Sequence, residues 1–220
     1  MSANTDLQLF TYYRSSAAYR VRIALALKQL DYKQLPVNLL KGDQKQETYL
    51  KVNPQGLVPA LATAEGTITQ SLAIIEYLEE THSELPLLPS KAIDRAYVRS
   101  MAYQIAMEIH PLNNPRITQF LMLEIDVSKA QKLHWYRHWI DIGFAALERR
   151  LTLSGSNGRF CFGDAVSLAD ICLIPQVYNA LRFDCPLQDY PTIGAIYDYC
   201  YQLPAFAAAS PEAQPDYPEQ

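Results

Sequence analysis

The chain has no CxxC pair, no clustered histidines and no long apolar run, and each absence removes a class of function. Its four cysteines, Cys161, Cys172, Cys185 and Cys200, all fall in the last third, without metal-ligand or redox spacing. They read as buried, reduced thiols. The four histidines are scattered, which argues against a metal site. No segment approaches the roughly 20 unbroken apolar residues that span a bilayer. The opening MSANTDLQLF also lacks the basic-then-apolar order of a secretory leader. Both points predict a cytoplasmic protein with no membrane partner. Charge of one sign is scarce too: the net charge is −4 and charged residues make up 19%. That mild acidity disfavours nucleic acid or an anionic surface as the main partner. Internal repeats and low-complexity tracts are missing.

What is present is apolar content. A chain of 220 residues, 49% of them hydrophobic, can bury one substantial core or two small ones. The first 80 or so residues alternate between the two periods. LQLFTYY is strand-like, and residues 17–30 form a helix whose IALAL centre is apolar nearly all round, as a helix lying on a sheet must be. In YKQLPVNL, Leu35, Val37 and Leu39 alternate with polar positions, the period of a strand. Residues 44–52 read as a short polar helix, LVPALAT and TITQ as strands around the turn AEG, and SLAIIEYLEE as a helix. The order is β-α-β-α-β-β-α.

After Leu85 the texture changes. LPLLPSKAID, with two prolines, marks a linker over residues 87–91 between a domain at 1–86 and a second at 92–220. Beyond it only helical patterns occur, over residues 93–108, 115–124, 129–151, 167–182 and 192–201. SLAD at 167–170 has the form of a capping box, with Ser167 as N-cap and Asp170 reaching back. That device stabilises a helix and does no chemistry. The tail ASPEAQPDYPEQ is polar and Pro-rich and reads as loosely ordered.

The chemistry concentrates at TYYRSSAAYRVRIALALK, residues 11–28. Arg14, Ser15 and Ser16 stand at the head of a helix with no cysteine, histidine or acid beside them. A serine nucleophile without a base is inert, which excludes a hydrolase reading. One serine suffices as an N-cap. A hydroxyl at a helix N-terminus can also donate to an anion, and a bound thiolate is such an anion. A free thiol has a pKa of about 8.5, and a drop of about two units makes it mostly thiolate at neutral pH. Such a shift corresponds to about 2.7 kcal/mol of preferential thiolate binding. The nucleophile would then come from outside the chain.

Two further spots fit an external ligand. Pro59 in VPA cannot donate to a ladder, so it belongs at an edge, a bulge, a turn or a cis Val58–Pro59 bond. In the last case the Val58 backbone can pair with a peptide as an added strand. Gln70–Ser71 ends a strand and opens a helix, whose free amides suit a carboxylate as well as a serine cap. Trp135 and Trp139, four apart, read as core or dimer packing. Arg20 and Arg22 read as structural, one paired with a carboxylate of the neighbouring helix and the other solvated.

RSSAAYRVRIALALK, NPQGLVPAL and TQSLAIIEYLEE strongly resemble the zeta class of glutathione transferases, whose hallmark is an SSCxxRVRIAL-type segment. The likeness resumes at IHPLNN (109–114), GDAVSLADICLIPQVYNALRF (163–183) and YPTI (190–193), so it covers nearly the whole chain. It implies a thioredoxin-like glutathione-binding domain joined to an all-α domain, as a homodimer. It further implies that Ser15, with Ser16 helping, polarises the glutathione sulfur, that Val58 before a cis Pro59 pairs with the cysteinyl backbone, and that Gln70 and Ser71 hold the γ-glutamyl carboxylate. Gln44 would take the glycyl end, and Asn113 and Asn114 would lie near the sulfur. The family's cysteine after the two serines is Ala17 here.

Enzymes of this class include cis–trans isomerases of maleylacetoacetate and, in a close bacterial relative, maleylpyruvate. Their dicarboxylate substrates need cationic clamps. The resemblance points to Arg14, Arg116 and Arg182 for these, with His110 in the same cleft. Arg182 can equally complement a helix C-terminus. Arg116, in a first helical turn, is poorly placed for the helix dipole. A conjugating or dehalogenating transferase is the alternative enzyme, and a binding module that keeps the fold is the non-enzymatic one.

Overall fold

A computed structural model describes residues 7–154 and 158–218. The first six residues, part of the segment read for a leader, and the last two of the tail lie outside the described residues.

The chain divides into two compact units, one made of Met1–Pro86 with Gln202–Gln220 and the other of Leu87–Tyr201. The first holds a four-stranded sheet of β1 (Gln8–Thr11), β2 (Lys33–Pro36), β3 (Ala60–Thr63) and β4 (Gly66–Thr69). The strand order is β2-β1-β3-β4, with β1 and β2 parallel and the other pairs antiparallel. The connecting helices are α1 (Ser16–Leu27), the single turn α2 (Glu47–Leu50) and α3 (Ser71–Thr81). This is the expected β-α-β-α-β-β-α order on a thioredoxin-like sheet. Two details differ. Strand β2 ends at Pro36, with Val37 buried just beyond it in a cluster with Tyr12, Tyr13, Tyr49 and Val58. The polar helix expected at 44–52 is a 3-10 turn, Asp43–Lys45, followed by α2.

The tail is the larger correction. Residues 202–218 are ordered, form α9 (Pro204–Ala209) and pack with the first unit rather than with the helical domain expected to run to 220. Helix α1 packs against both α3 and α9, which explains why it is apolar nearly all round. It also explains the arginines. Arg20 and Arg22 are 2% and 1% exposed, so neither is solvated. Arg22 donates through Nε to Ala209 C=O, through Nη1 to Thr11 Oγ1 and through Nη2 to Tyr13 C=O, at 2.9, 3.0 and 2.9 Å. Burial lowers its pKa to about 10, and the carbonyls it spans repay part of that cost.

The helical unit contains α4 (Ala92–Tyr103), α5 (Pro115–Leu123), α6 (Lys129–Ser154), α7 (Leu168–Arg182) and α8 (Pro191–Tyr201). Helix α7 is its axis, buried along most of its length and packed on α4 and α8. The capping box is present: Asp170 Oδ2 accepts from Ser167 N and Ser167 Oγ, both at 2.8 Å, while Oδ1 accepts from Cys161 N at 2.7 Å. All four cysteines are free and buried, and burial pushes the Cys161 and Cys200 thiols well up, so they stay protonated.

The helix expected over 93–108 does not stay α. It passes into a π-helical turn, Gln104–Ile109, and then a 3-10 turn, His110–Asn113. Pro111 accounts for the second break. Gly143 on α6 lets the π turn approach, since a Cβ there would clash with Ile109 Cδ1. Gly143→Ala is therefore expected to cost about 1–3 kcal/mol through overpacking, despite the better helix propensity of alanine. Urea denaturation checks this, and an equal or raised midpoint would contradict it.

Candidate active site

Register places the candidate residues of the first unit. Thr11 pairs with Pro36, Phe10 with Ala60, and Ala60 with Thr69. The C-terminal ends of β1, β2 and β4 and the N-terminal end of β3 therefore share one end of the sheet. Four segments emerge there: 12–16 with Arg14, Ser15 and Ser16; 37–45 with Gln44; 58–59; and 70–71.

Ser15 closes a tight turn, its N–H donating to Tyr12 C=O at 2.9 Å. It is the N-cap of α1, and its Oγ accepts from Ala18 N at 3.2 Å. Capping consumes a lone pair of the hydroxyl, not its proton. The O–H stays available to donate outward, backed by the free amides and dipole of a 12-residue helix with no acid in its first turn. The cap and ligand readings of this serine thus coexist. Ser16 is the first helical residue and only 6% exposed, so Ser15 is the better presented of the pair. Arg14, half-buried, holds its guanidinium 6.0 and 5.9 Å from the rings of Tyr12 and Tyr13. Burial pushes the Tyr12 phenol up to about 12, so it is a neutral group here.

The Val58–Pro59 bond is cis. Leu57 C=O, just before it, accepts from Tyr49 Oη at 2.6 Å and Asn53 Nδ2 at 2.7 Å, which anchors the loop. Among the described residues, neither N–H nor C=O of Val58 makes a backbone hydrogen bond. That is the open edge an extended peptide requires.

Gln70 has φ +71° and ψ 116°, a conformation that costs a non-glycine residue about 1–3 kcal/mol. Its Nε2 donates to Gln55 Oε1 at 2.8 Å. Ser71 opens α3, and its buried Oγ accepts from Arg20 Nη1 at 3.3 Å. A cation beneath a helix N-terminus reinforces that end's affinity for a carboxylate. Arg20 and Arg22 read from sequence as structural, and that reading does not foresee this contact; the signal is the place of Arg20 one turn into a buried helix. Gln44 lies in the 3-10 turn after β2, and its Oε1 is buried without a hydrogen-bond partner among the described residues. Together these segments offer a hydroxyl donor, an open peptide edge, a carboxylate-accepting helix end and an uncommitted amide. A γ-glutamyl-cysteinyl-glycine tripeptide asks for that set, so the residues fit glutathione.

The helical unit carries its own group. His110 begins the 3-10 turn and Asn113 ends it. Asn113 is 4% exposed, and both of its amide atoms lack a partner among the described residues. Asn114 is the N-cap of α5, accepting from Arg116 N at 2.9 Å, so a structural task occupies its Oδ1. Arg116 is exposed in the first turn. Arg182 is exposed in the last turn of α7, with Nη1 3.3 Å from Asn179 Oδ1 and its guanidinium 5.6 Å from the Phe183 ring. Trp135 Nε1 donates to Leu112 C=O at 2.8 Å, which ties α6 to the 3-10 turn. Its ring meets Trp139 edge-on, and both also line an open groove with Leu121, Val127 and His138.

Comparison with known proteins agrees with this geometry. Residues 9–86 match the family model described as Glutathione S-transferase, N-terminal domain. A maleylacetoacetate isomerase of Pseudomonas aeruginosa is 46% identical over 215 residues, covering 96% of this chain and 99% of that protein. A holo structure of maleylpyruvate isomerase, described as a bacterial zeta-class glutathione S-transferase, superposes with TM-score 0.94 at 42% identity over 96% of this chain and all of that one. A maleylacetoacetate isomerase of Methylobacterium extorquens AM1, solved with malonate and glutathione bound, gives TM-score 0.93 at 42% identity, covering 96% of this chain and 100% of that chain. With such identity over nearly its whole length, the chain belongs to the zeta class of the glutathione S-transferase family.

Proposed function

We propose that the protein is a glutathione-dependent isomerase converting maleylacetoacetate to fumarylacetoacetate in tyrosine and phenylalanine breakdown, working in the cytoplasm as a homodimer. The observation that carries this reading is the Ser15 hydroxyl, which caps α1 with a lone pair and keeps its proton for an anion at the end of the sheet where Val58 and Ser71 also emerge. Bound glutathione supplies a thiolate whose reversible addition to the conjugated alkene permits rotation about the former double bond. The chain's own residues do the rest. Ser15 donates to the sulfur and, with the α1 N-terminus, lowers its pKa, while Ser16 helps from the first helical position. Val58 pairs with the cysteinyl backbone beside Pro59, Gln70 and Ser71 take the γ-glutamyl carboxylate, and Gln44 takes the glycyl end. Asn113 offers its uncommitted amide near the sulfur, and Asn114 adds its own Nδ2.

Arg14, Arg116 and Arg182 clamp the carboxylates of the substrate, with His110 as a further donor to charge that develops on the ketone. None of the three arginines is committed to a carboxylate among the described residues, so their charge stays available. Maleylpyruvate is the second reading, since an isomerase of that substrate superposes as well (TM-score 0.94) as the maleylacetoacetate isomerase (0.93), both at 42% identity.

A spectrophotometric assay of both diacids, with and without glutathione, tests this. Turnover is expected to require glutathione without consuming it, and to favour maleylacetoacetate. A large preference for the shorter diacid would transfer the assignment to maleylpyruvate. Product that retained glutathione stoichiometrically would mean a conjugating transferase, and full turnover without glutathione would end the proposal.

A further inference from the structure

The turn at 12–15 sets where the Ser15 hydroxyl lies, and the residue at its apex is held from far away in sequence. Tyr13 C=O accepts from Arg22 Nη2 at 2.9 Å, and Tyr13 N–H donates to Asp216 Oδ2 at 2.9 Å. The Tyr217 ring meets the Tyr13 ring edge-on, with centroids 5.4 Å apart. The segment bearing Asp216 is itself anchored. Gln214, 6% exposed, donates to Ala208 C=O and Ser210 C=O at 3.0 and 2.7 Å, and its Oε1 accepts from Gln34 Nε2 on β2 at 3.2 Å.

We propose that Asp216 is a positioning residue for the thiol chemistry: by accepting the Tyr13 N–H, the C-terminal strap locks the turn and aims the Ser15 hydroxyl. The proposal rests on the role assigned to Ser15. Its physical basis is that a tight turn leaves the amide at its second position without a local backbone partner: the peptide between Tyr12 and Tyr13 is held at its carbonyl by Ser15 N–H, and its N–H end is held by Asp216 from outside the turn. A carboxylate is the stronger kind of acceptor for that task. Small displacements of a group that acts on a reacting atom cost rate far more than they cost binding.

The test uses the full-length enzyme. Asp216→Ala is expected to lower kcat about tenfold while KM for glutathione changes less than about threefold. It should also raise the apparent pKa of enzyme-bound glutathione, read by ultraviolet titration of the thiolate. Asp216→Asn, which keeps an acceptor, should recover most of the loss. In a Ser15→Ala background, Asp216→Ala should have little further effect. Losses that multiply in the double variant, or a kcat fall without any change in thiol ionisation, would overturn the proposal while leaving Ser15 in place. Conversely, if Ser15→Ala alone leaves thiol ionisation unchanged, the serine reading itself fails. Should Asp216→Ala not fold, Tyr217→Leu loosens the same strap and is expected to move both readouts two- to threefold the same way; no movement there also overturns the proposal.

Discussion

Ser15→Ala is expected to slow isomerisation by about 10- to 100-fold, with a much smaller change in glutathione affinity, because a hydrogen bond to a charged group is worth about 1.5–3 kcal/mol. The loss falls on ionisation of the sulfur. In the proposed binding mode, contacts at Val58, Gln70 and Ser71 grip the rest of the tripeptide and are untouched. The sign with pH follows. Removing the donor raises the pKa of the bound thiol, so the rise of kcat/KM with pH moves to more alkaline values, and the variant approaches wild-type rates there. Calorimetric titration of glutathione beside a pH–rate profile separates these effects. Because Ser15 Oγ also caps α1, accepting from Ala18 N, the same change costs about 1 kcal/mol of stability. Ser15→Thr keeps both cap and hydroxyl and distinguishes the two losses. Unchanged turnover in Ser15→Ala would move the role to Ser16 or to the backbone amides.

Local pattern carried the first unit. Alternation at 33–39, the apolar centre of α1 and the turn at 64–66 are short-range signals that yield the element order, whereas the pairing of β1 with β3 is not a short-range one. Ser15 and Ser71 were legible because a serine before an apolar run marks a helix start, whatever else it does. Long-range placement stayed hidden. Nothing in ASPEAQPDYPEQ announces that Asp216 meets Tyr13 N–H across 203 positions, and a polar, Pro-rich tail reads as loose by composition alone. Arg22 misled for the same reason. One of Arg20 and Arg22 is expected from sequence to be solvated, yet α1 is covered by both α3 and α9, and the buried Arg22 guanidinium satisfies carbonyls of the loop and the tail. The π turn before His110 had no sequence counterpart except Pro111, which announces a break but not its kind.

The stability of this arrangement turns on the other end of α1. Lys28, its C-cap, donates from Nζ to Glu79 Oε2 on α3 at 2.8 Å, to His82 C=O at 2.7 Å and to Leu85 C=O at 3.0 Å. The two side chains are 1% and 8% exposed. Lys28→Met removes the buried cation shared by the Glu79 carboxylate and the His82 and Leu85 carbonyls, and is expected to cost about 3–5 kcal/mol. For a chain of this size that lowers Tm by roughly 10 °C or more. Replacing both partners, as Lys28→Met with Glu79→Leu, should cost clearly less than the single lysine change, because no uncompensated charge remains. Urea denaturation of Lys28→Met, Glu79→Leu and the double variant decides the point. If the double variant were as unstable as the sum of its parts, the pair would be no more than two independent contacts. The functional consequence follows from position. Lys28 fixes α1 against α3, the helices that begin at Ser16 and Ser71, far from the thiol itself. Below its unfolding transition the Lys28→Met enzyme should therefore keep kcat near wild type while losing heat resistance. A fall in kcat with folding intact would mean that the α1–α3 spacing is part of the chemistry and not only of the scaffold.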